Sequence, residues 1–192
     1  IKELEKAAAE AVDKLIEAIG DVELTDECKA RIDAARAAYD ALTDKQKELV
    51  TKDDVLKAAE AAYAKLADEA AAKAVENMIA ALPEADKVAL TDEASIVAAR
   101  SAFDKLTDEQ KDLVPNKAKL EAAENKLAEL KAIAAKEEAD RKAAQSVTDM
   151  INALPQPIKL EDKASVEAAR AAYNNLTADQ KKLVSEGTLK KL

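Results

Sequence analysis

The chain has no histidine, no tryptophan and a single cysteine, and only two glycines and four prolines among its 192 residues. Each scarcity closes off a class of chemistry or architecture. Without His, and with Cys28 alone, no soft metal site, cysteine–histidine couple or internal disulfide can be assembled. Cys28 reads as a buried or bystander thiol. With aromatics at 2% and so little Gly and Pro, there is little material for tight turns or sheet. No apolar run approaches the length needed to cross a bilayer, so no membrane insertion is expected in this segment. Neither a Gly-rich phosphate loop nor EF-hand spacing is present. No cofactor or metal is implied.

Charge is what the chain has in abundance: 36% of residues are charged, with 39 acids against 30 bases, giving a net charge of -9. An acidic surface of this kind repels phosphate backbones and anionic headgroups, which argues against nucleic-acid and peripheral-membrane roles. Ala, Glu, Lys, Leu and Asp dominate, and these residues favour helix. The expected fold class is all-α.

The phrase AARAAYDALT at Ala34 returns as AARSAFDKLT at Ala98 and as AARAAYNNLT at Ala168. Its arginines, Arg36, Arg100 and Arg170, are spaced by 64 and 70 residues. Each copy opens with an apolar-periodic segment that stops at Gly20, Pro83 or Pro155, as helices do. After a short loop, Thr25, Thr91 and Asp162 stand where N-caps of a second helix are expected. In that helix Ile32, Ala35, Tyr39 and Leu42 recur at offsets of three, four and three, giving one narrow apolar stripe. The aromatics Tyr39, Phe103 and Tyr173 lie on this stripe and read as core, as does Tyr63 elsewhere. Thr43, Thr107 and Thr177 are each followed three places on by Gln, the signature of a capping box that restarts a short helix. Leu49-Val50, Leu113-Val114 and Leu183-Val184 are expected to dock that short helix on the core.

From Val55 to Leu82 and from Lys117 to Leu154 there is no Gly or Pro. The third helix of one copy is therefore expected to continue as the first helix of the next, over roughly 42 and 57 Å. Within the stretch AIAAKEEADRKAAQS of the second connector there is no large apolar residue from Ala134 to Ser146, and it reads as solvent-bridging. The expected architecture is a series of tandem small three-helix bundles joined by long continuous helices, a spectrin-like elongated rod. Its units are residues 1–66, 67–130 with a connector helix from about 55, and 131–192, the last truncated in its final helix. Both ends read as cut points within a longer array.

The abundant carboxylates read as solvated helix faces, because acid–base catalysis requires a cleft and a shifted pKa that nothing in the sequence marks. A non-enzymatic role is expected. The arginine of AAR is the most site-like residue: Asp40 and Asp104 lie four places on, which suits an intrahelical ion pair, whereas Arg on a recurring surface also suits partner contact. Candidate partner-binding residues are Arg36, Arg100 and Arg170, with Asp21, Glu23, Glu84, Asp86, Lys87, Gln156 and Lys159 in the loops where the copies differ.

With AAR-x-A-Y/F-D-x-LT-D-x-QK-x-LV in view, preceded by I-x-A-L-P and L-T-D, the chain resembles helical repeats of Gram-positive bacterial cell-surface proteins. The resemblance covers all three copies, and the third departs from it at Asn174 and Ala178. It implies surface display, secreted or cell-wall-anchored, in an extended modular protein, and no specific ligand. The expected function is a stalk that also binds a host protein such as an immunoglobulin, and a monomer is expected because each apolar seam is used inside its own unit. A spacer without a ligand, or an intracellular helical scaffold, are the alternatives.

Overall fold

A computed structural model describes residues 2–192. Among the described residues ten α-helices follow in order: α1 Lys2–Glu17, α2 Asp26–Asp40, α3 Asp44–Lys47, α4 Asp53–Ala80, α5 Glu93–Asp104, α6 Asp108–Asp112, α7 Lys117–Asn152, α8 Lys163–Asn175, α9 Ala178–Lys182 and α10 Glu186–Leu189. Short 3-10 turns at Ala85–Lys87, Leu90–Asp92 and Leu160–Asp162 precede α5 and α8. The all-α expectation is met.

Local signals produce most of these boundaries. Thr43, Thr107 and Thr177 each accept from the backbone N–H of the Gln three places on, whose side-chain oxygen accepts from the threonine N–H in return. These boxes start α3, α6 and α9. Gly20, with φ of +67°, follows α1 in the left-handed conformation that glycine tolerates best. Thr25 caps α2 by accepting from the N–H of Cys28 at 3.1 Å. The corresponding expectation for Thr91 fails, because Thr91 sits inside a 3-10 turn that Asp92 closes by accepting the N–H of Ala89 at 2.8 Å. Asp162 occupies the N-cap position of α8, yet its carboxylate likewise reaches back to the N–H of Lys159, at 2.8 Å. The run-in from Pro83 or Pro155 to the turn leucine, Leu90 or Leu160, is longer than that from Gly20 to Leu24.

The contacts divide the chain into two compact units, residues 1–83 with 94–121, and residues 84–93 with 122–192. In the first unit α4 is a hub that packs on α1, α2 and α6. A core there gathers Val12, Ile16 and Ile19 from the α1 segment, Cys28, Ile32 and Ala35 from α2, and Leu56 and Ala59 from α4. Tyr39, Leu42 and Tyr63 pack against it. In the second unit α7 is the hub: its Ala144, Val147 and Ile151 share a core with Leu154, Ala169 of α8, Leu176 and Val184. Full burial of such aliphatic side chains is worth about 1.5–3 kcal/mol each.

This packing overturns the spectrin-like elongated rod of tandem small bundles. That expectation treats the long helices as spacers, whereas α4 and α7 are each the element against which several non-adjacent helices pack. The expected solvent-bridging stretch carries Ala144, which is 2% exposed, and Asp140, which bonds to Gln180 of α9 at 2.8 Å. Small Ala side chains give a neighbouring helix close access without the large apolar residues that mark a core in sequence.

Candidate partner-binding surface

Arg36 is raised on α2 one turn before Asp40, and its guanidinium lies 3.7 Å from that carboxylate. Its main engagement is across to α4, where Nε and Nη2 donate to Oε1 and Oε2 of Glu60 at 2.6 and 2.7 Å. The guanidinium also lies 5.2 Å from the Tyr39 ring centroid. Two parallel bonds and a ring contact make Arg36 a fastener between α2 and α4. The pairing holds the Glu60 carboxyl below the usual carboxylate range and raises Arg36 further. Arg100 repeats the local part of this arrangement, at 3.6 Å from Asp104 and 5.4 Å from the Phe103 ring. Arg170 is exposed and donates to the main-chain oxygen of Leu192 at 2.6 Å.

The loop candidates are all exposed. Asp21 and Glu23 lie between α1 and α2 in the first unit. In the second unit Asp86 and Lys87 belong to a 3-10 turn that brings the Lys87 N–H onto the carbonyl of Glu84 at 2.8 Å. Gln156 precedes Pro157 through a cis peptide bond, and the Lys159 ammonium lies 3.6 Å from Glu161. The structure thus joins Glu84 to Lys87 and leaves Arg36 tied into scaffold.

Polar groups outside the candidate set also tie the helices together. Asp13 on α1 accepts the N–H groups of Thr51 and Lys52 at the entry to α4. Gln110 and Gln180, having closed their capping boxes, turn their amide nitrogens to Asp68 and Asp140, both at 2.8 Å. The available signal was positional: Glu5, Asp68 and Asp140 each stand seven residues before the buried valines Val12, Val75 and Val147.

The LV pair that ends each short helix also behaves differently from expectation. Val50, Val114 and Val184 are buried, whereas Leu49, Leu113 and Leu183 are 44%, 47% and 55% exposed. Adjacent residues here point to opposite sides, so only the valine docks. In the first unit Leu49 borders a groove of about 660 Å³ between α1 and the α3 segment, shared with Glu5, Glu10 and Lys45. In the second unit Leu183 borders a groove of about 670 Å³ between α7 and α9, shared with Lys136, Asp140 and Asp179.

Two carboxylates of the second groove are held low by their neighbours. Lys136 and then Gln180 keep Asp140 below the usual range, and Lys182 does the same for Asp179. Among the described residues no cluster of three or more potential ligands could hold a metal ion, and no helix is long and apolar enough to cross a membrane. No family model, curated protein or solved structure matches the chain.

Proposed function

We propose that the chain is a non-enzymatic helical module that binds a partner protein. The observation that carries this reading is the recurrence, in all three copies of the phrase, of a leucine that stays outside the core. Single exposed apolar residues are ordinary, but the same one kept three times, while its neighbours change sign, suits a contact surface. Position 45 is Lys where its counterparts are Glu109 and Asp179, and Glu48 corresponds to Asp112 and Lys182.

The directions of the carboxylate shifts agree with this reading. Asp53, Glu60, Asp140 and Asp179 are all held low by cationic or amide neighbours, the condition of a structural ion pair. A general acid at neutral pH needs the opposite shift.

The resemblance of the AAR-to-LV phrase to helical segments of Gram-positive surface proteins supports an extracellular setting and a host protein as partner, with immunoglobulin the first to test. At a net charge of -9 the chain repels its own copies, which supports a monomer. Surface plasmon resonance with the full chain immobilised, against purified immunoglobulins and a panel of serum proteins, tests the reading. Saturable binding at micromolar or tighter affinity supports it. No saturable binding to any member returns the chain to a structural element without a ligand.

A further inference from the structure

We propose that each of Leu49, Leu113 and Leu183 marks a separate surface that receives an amphipathic segment of a partner, placing an apolar residue on the leucine and lysines or arginines around it. This rests on the protein-binding reading above and names the chemistry of the partner. The apolar half follows from the exposed leucines, each immediately before a valine that is buried. Because the valine anchors the segment, the leucine is held in place without being consumed by the core, which limits the ordering cost of contact.

The basic half follows from charge. The groove at Leu183 carries Glu137, Glu138, Asp140 and Asp179 against Lys136 and Arg141. The groove at Leu49 carries four acids, Glu5, Glu10, Asp13 and Glu48, against three lysines. Leu113 follows Asp112 directly. At Leu183 the adjacent Lys182 and Lys142 pair with Asp179 and Glu138 and bring that groove to balance, so the acid excess rests on the groove at Leu49 and on the net charge of -9 of the whole chain. A second copy of this chain would bring acid to acid, so a basic partner is the complementary occupant. The mode is an apolar anchor in a shallow groove with charged flanks, which suits a helix better than an extended strand because the lining elements are helical and offer no sheet edge.

The test uses two synthetic amphipathic helical peptides of about 18 residues with the same leucine face, one flanked by Lys and one by Glu. Each is titrated into the isotope-labelled full chain while the leucine methyl resonances are followed. The Lys peptide should bind saturably and shift the methyls of Leu49, Leu113 and Leu183, and the Glu peptide should not. Leu183→Gln, and the triple Leu→Gln variant, should retain helix content and weaken the Lys peptide, the triple variant by about tenfold or more. Equal binding by wild type and the triple variant reduces the effect to bulk charge attraction and overturns the proposal. Unshifted leucine methyls in the wild-type chain overturn it as well, even where a variant fails to fold. These outcomes are separate from the serum-protein panel: a panel protein that binds with no loss on Leu→Gln keeps the protein-binding reading and removes these surfaces.

Discussion

The Asp13 carboxylate on α1 accepts the N–H of Thr51 at 3.1 Å and its hydroxyl at 2.8 Å, across 38 residues of sequence. A further bond from the Lys52 N–H at 3.1 Å completes the anchor. Lys52 is the N-cap residue of α4 and makes no side-chain cap bond of its own. A distant acid thus takes the place of a local cap, and its charge sits where the helix dipole favours an anion. Asp13→Ala should cost about 1–2 kcal/mol, the range of a lost N-cap, and Asp13→Asn, which keeps one acceptor oxygen, should cost about half as much. Urea unfolding of both variants measures this. Two losses within about 0.3 kcal/mol of zero would show that the anchor only decorates an entry fixed by packing.

Much of the local structure was legible because it is written locally. The capping boxes at Thr43, Thr107 and Thr177 need only two residues at a fixed spacing, and the continuity of α4 and α7 needs only the lack of Gly and Pro. The rod failed because packing between distant helices is carried here by alanine. Ala72 and Ala144 are 1% and 2% exposed, yet on a helical pattern alanine looks the same in a core as in solvent. The candidate surface was read from Arg36, whose chemistry is conspicuous, although its partner Glu60 lies on another helix, 24 residues away. The leucines were assigned to the core because hydropathy alone cannot say which of two adjacent apolar residues turns inward.

The Arg36–Glu60 pair should give stability a specific acid limb. Arg36 holds Glu60 below its ordinary value near 4.5, so the native state binds that proton less readily than the unfolded chain. The pair's contribution is therefore full above about pH 4.5 and is lost as pH falls through the lowered native value. Both side chains are about a third exposed, so solvent screening limits the effect to about 0.5–1 kcal/mol. Thermal melts of wild type and Glu60→Gln should differ at neutral pH and converge on acidification. A constant difference down to the lowest pH would place the effect of Glu60→Gln elsewhere.

Gly20 offers a test of backbone conformation alone. Its φ is +67°, and a Cβ built there meets no atom within 4 Å. Gly20→Ala should therefore cost about 1 kcal/mol through strain and not through collision, and Gly20→Asn less, because Asn tolerates the left-handed region. Chemical denaturation of the two variants ranks them, and an Ala variant as stable as wild type would contradict the assigned conformation.

Cys28 is fully buried in the first unit's core. A thiol reagent should label the native chain only on the timescale of unfolding and the urea-unfolded chain at once. Cys28→Ala removes a small packed volume and should cost about 1 kcal/mol, whereas Cys28→Ser also buries a hydroxyl and should cost more. Rapid native labelling would place this thiol at the surface and remove it from the core.

The sharpest separation between a generic cap and this fold comes from Gln110. In a capping box Glu and Gln are interchangeable, because only the side-chain oxygen is used, and Gln110 does accept the Thr107 N–H at 3.0 Å. Its amide nitrogen, however, donates to Asp68 on α4 at 2.8 Å, which a glutamate cannot do. Gln110→Glu would instead set two carboxylates against each other, and Gln180→Glu would do the same against Asp140. Gln46 bonds only to Thr43 among the described residues, so Gln46→Glu should be nearly neutral. Loss of the donated bond plus like-charge repulsion should cost about 1–2 kcal/mol at each of the other two sites at neutral pH. The deficit should shrink as the carboxylates protonate. Three Gln→Glu variants followed by urea unfolding at neutral and acid pH test the ordering, and equal tolerance at all three positions would mean that these glutamines cap their own helices without tying them to the hubs.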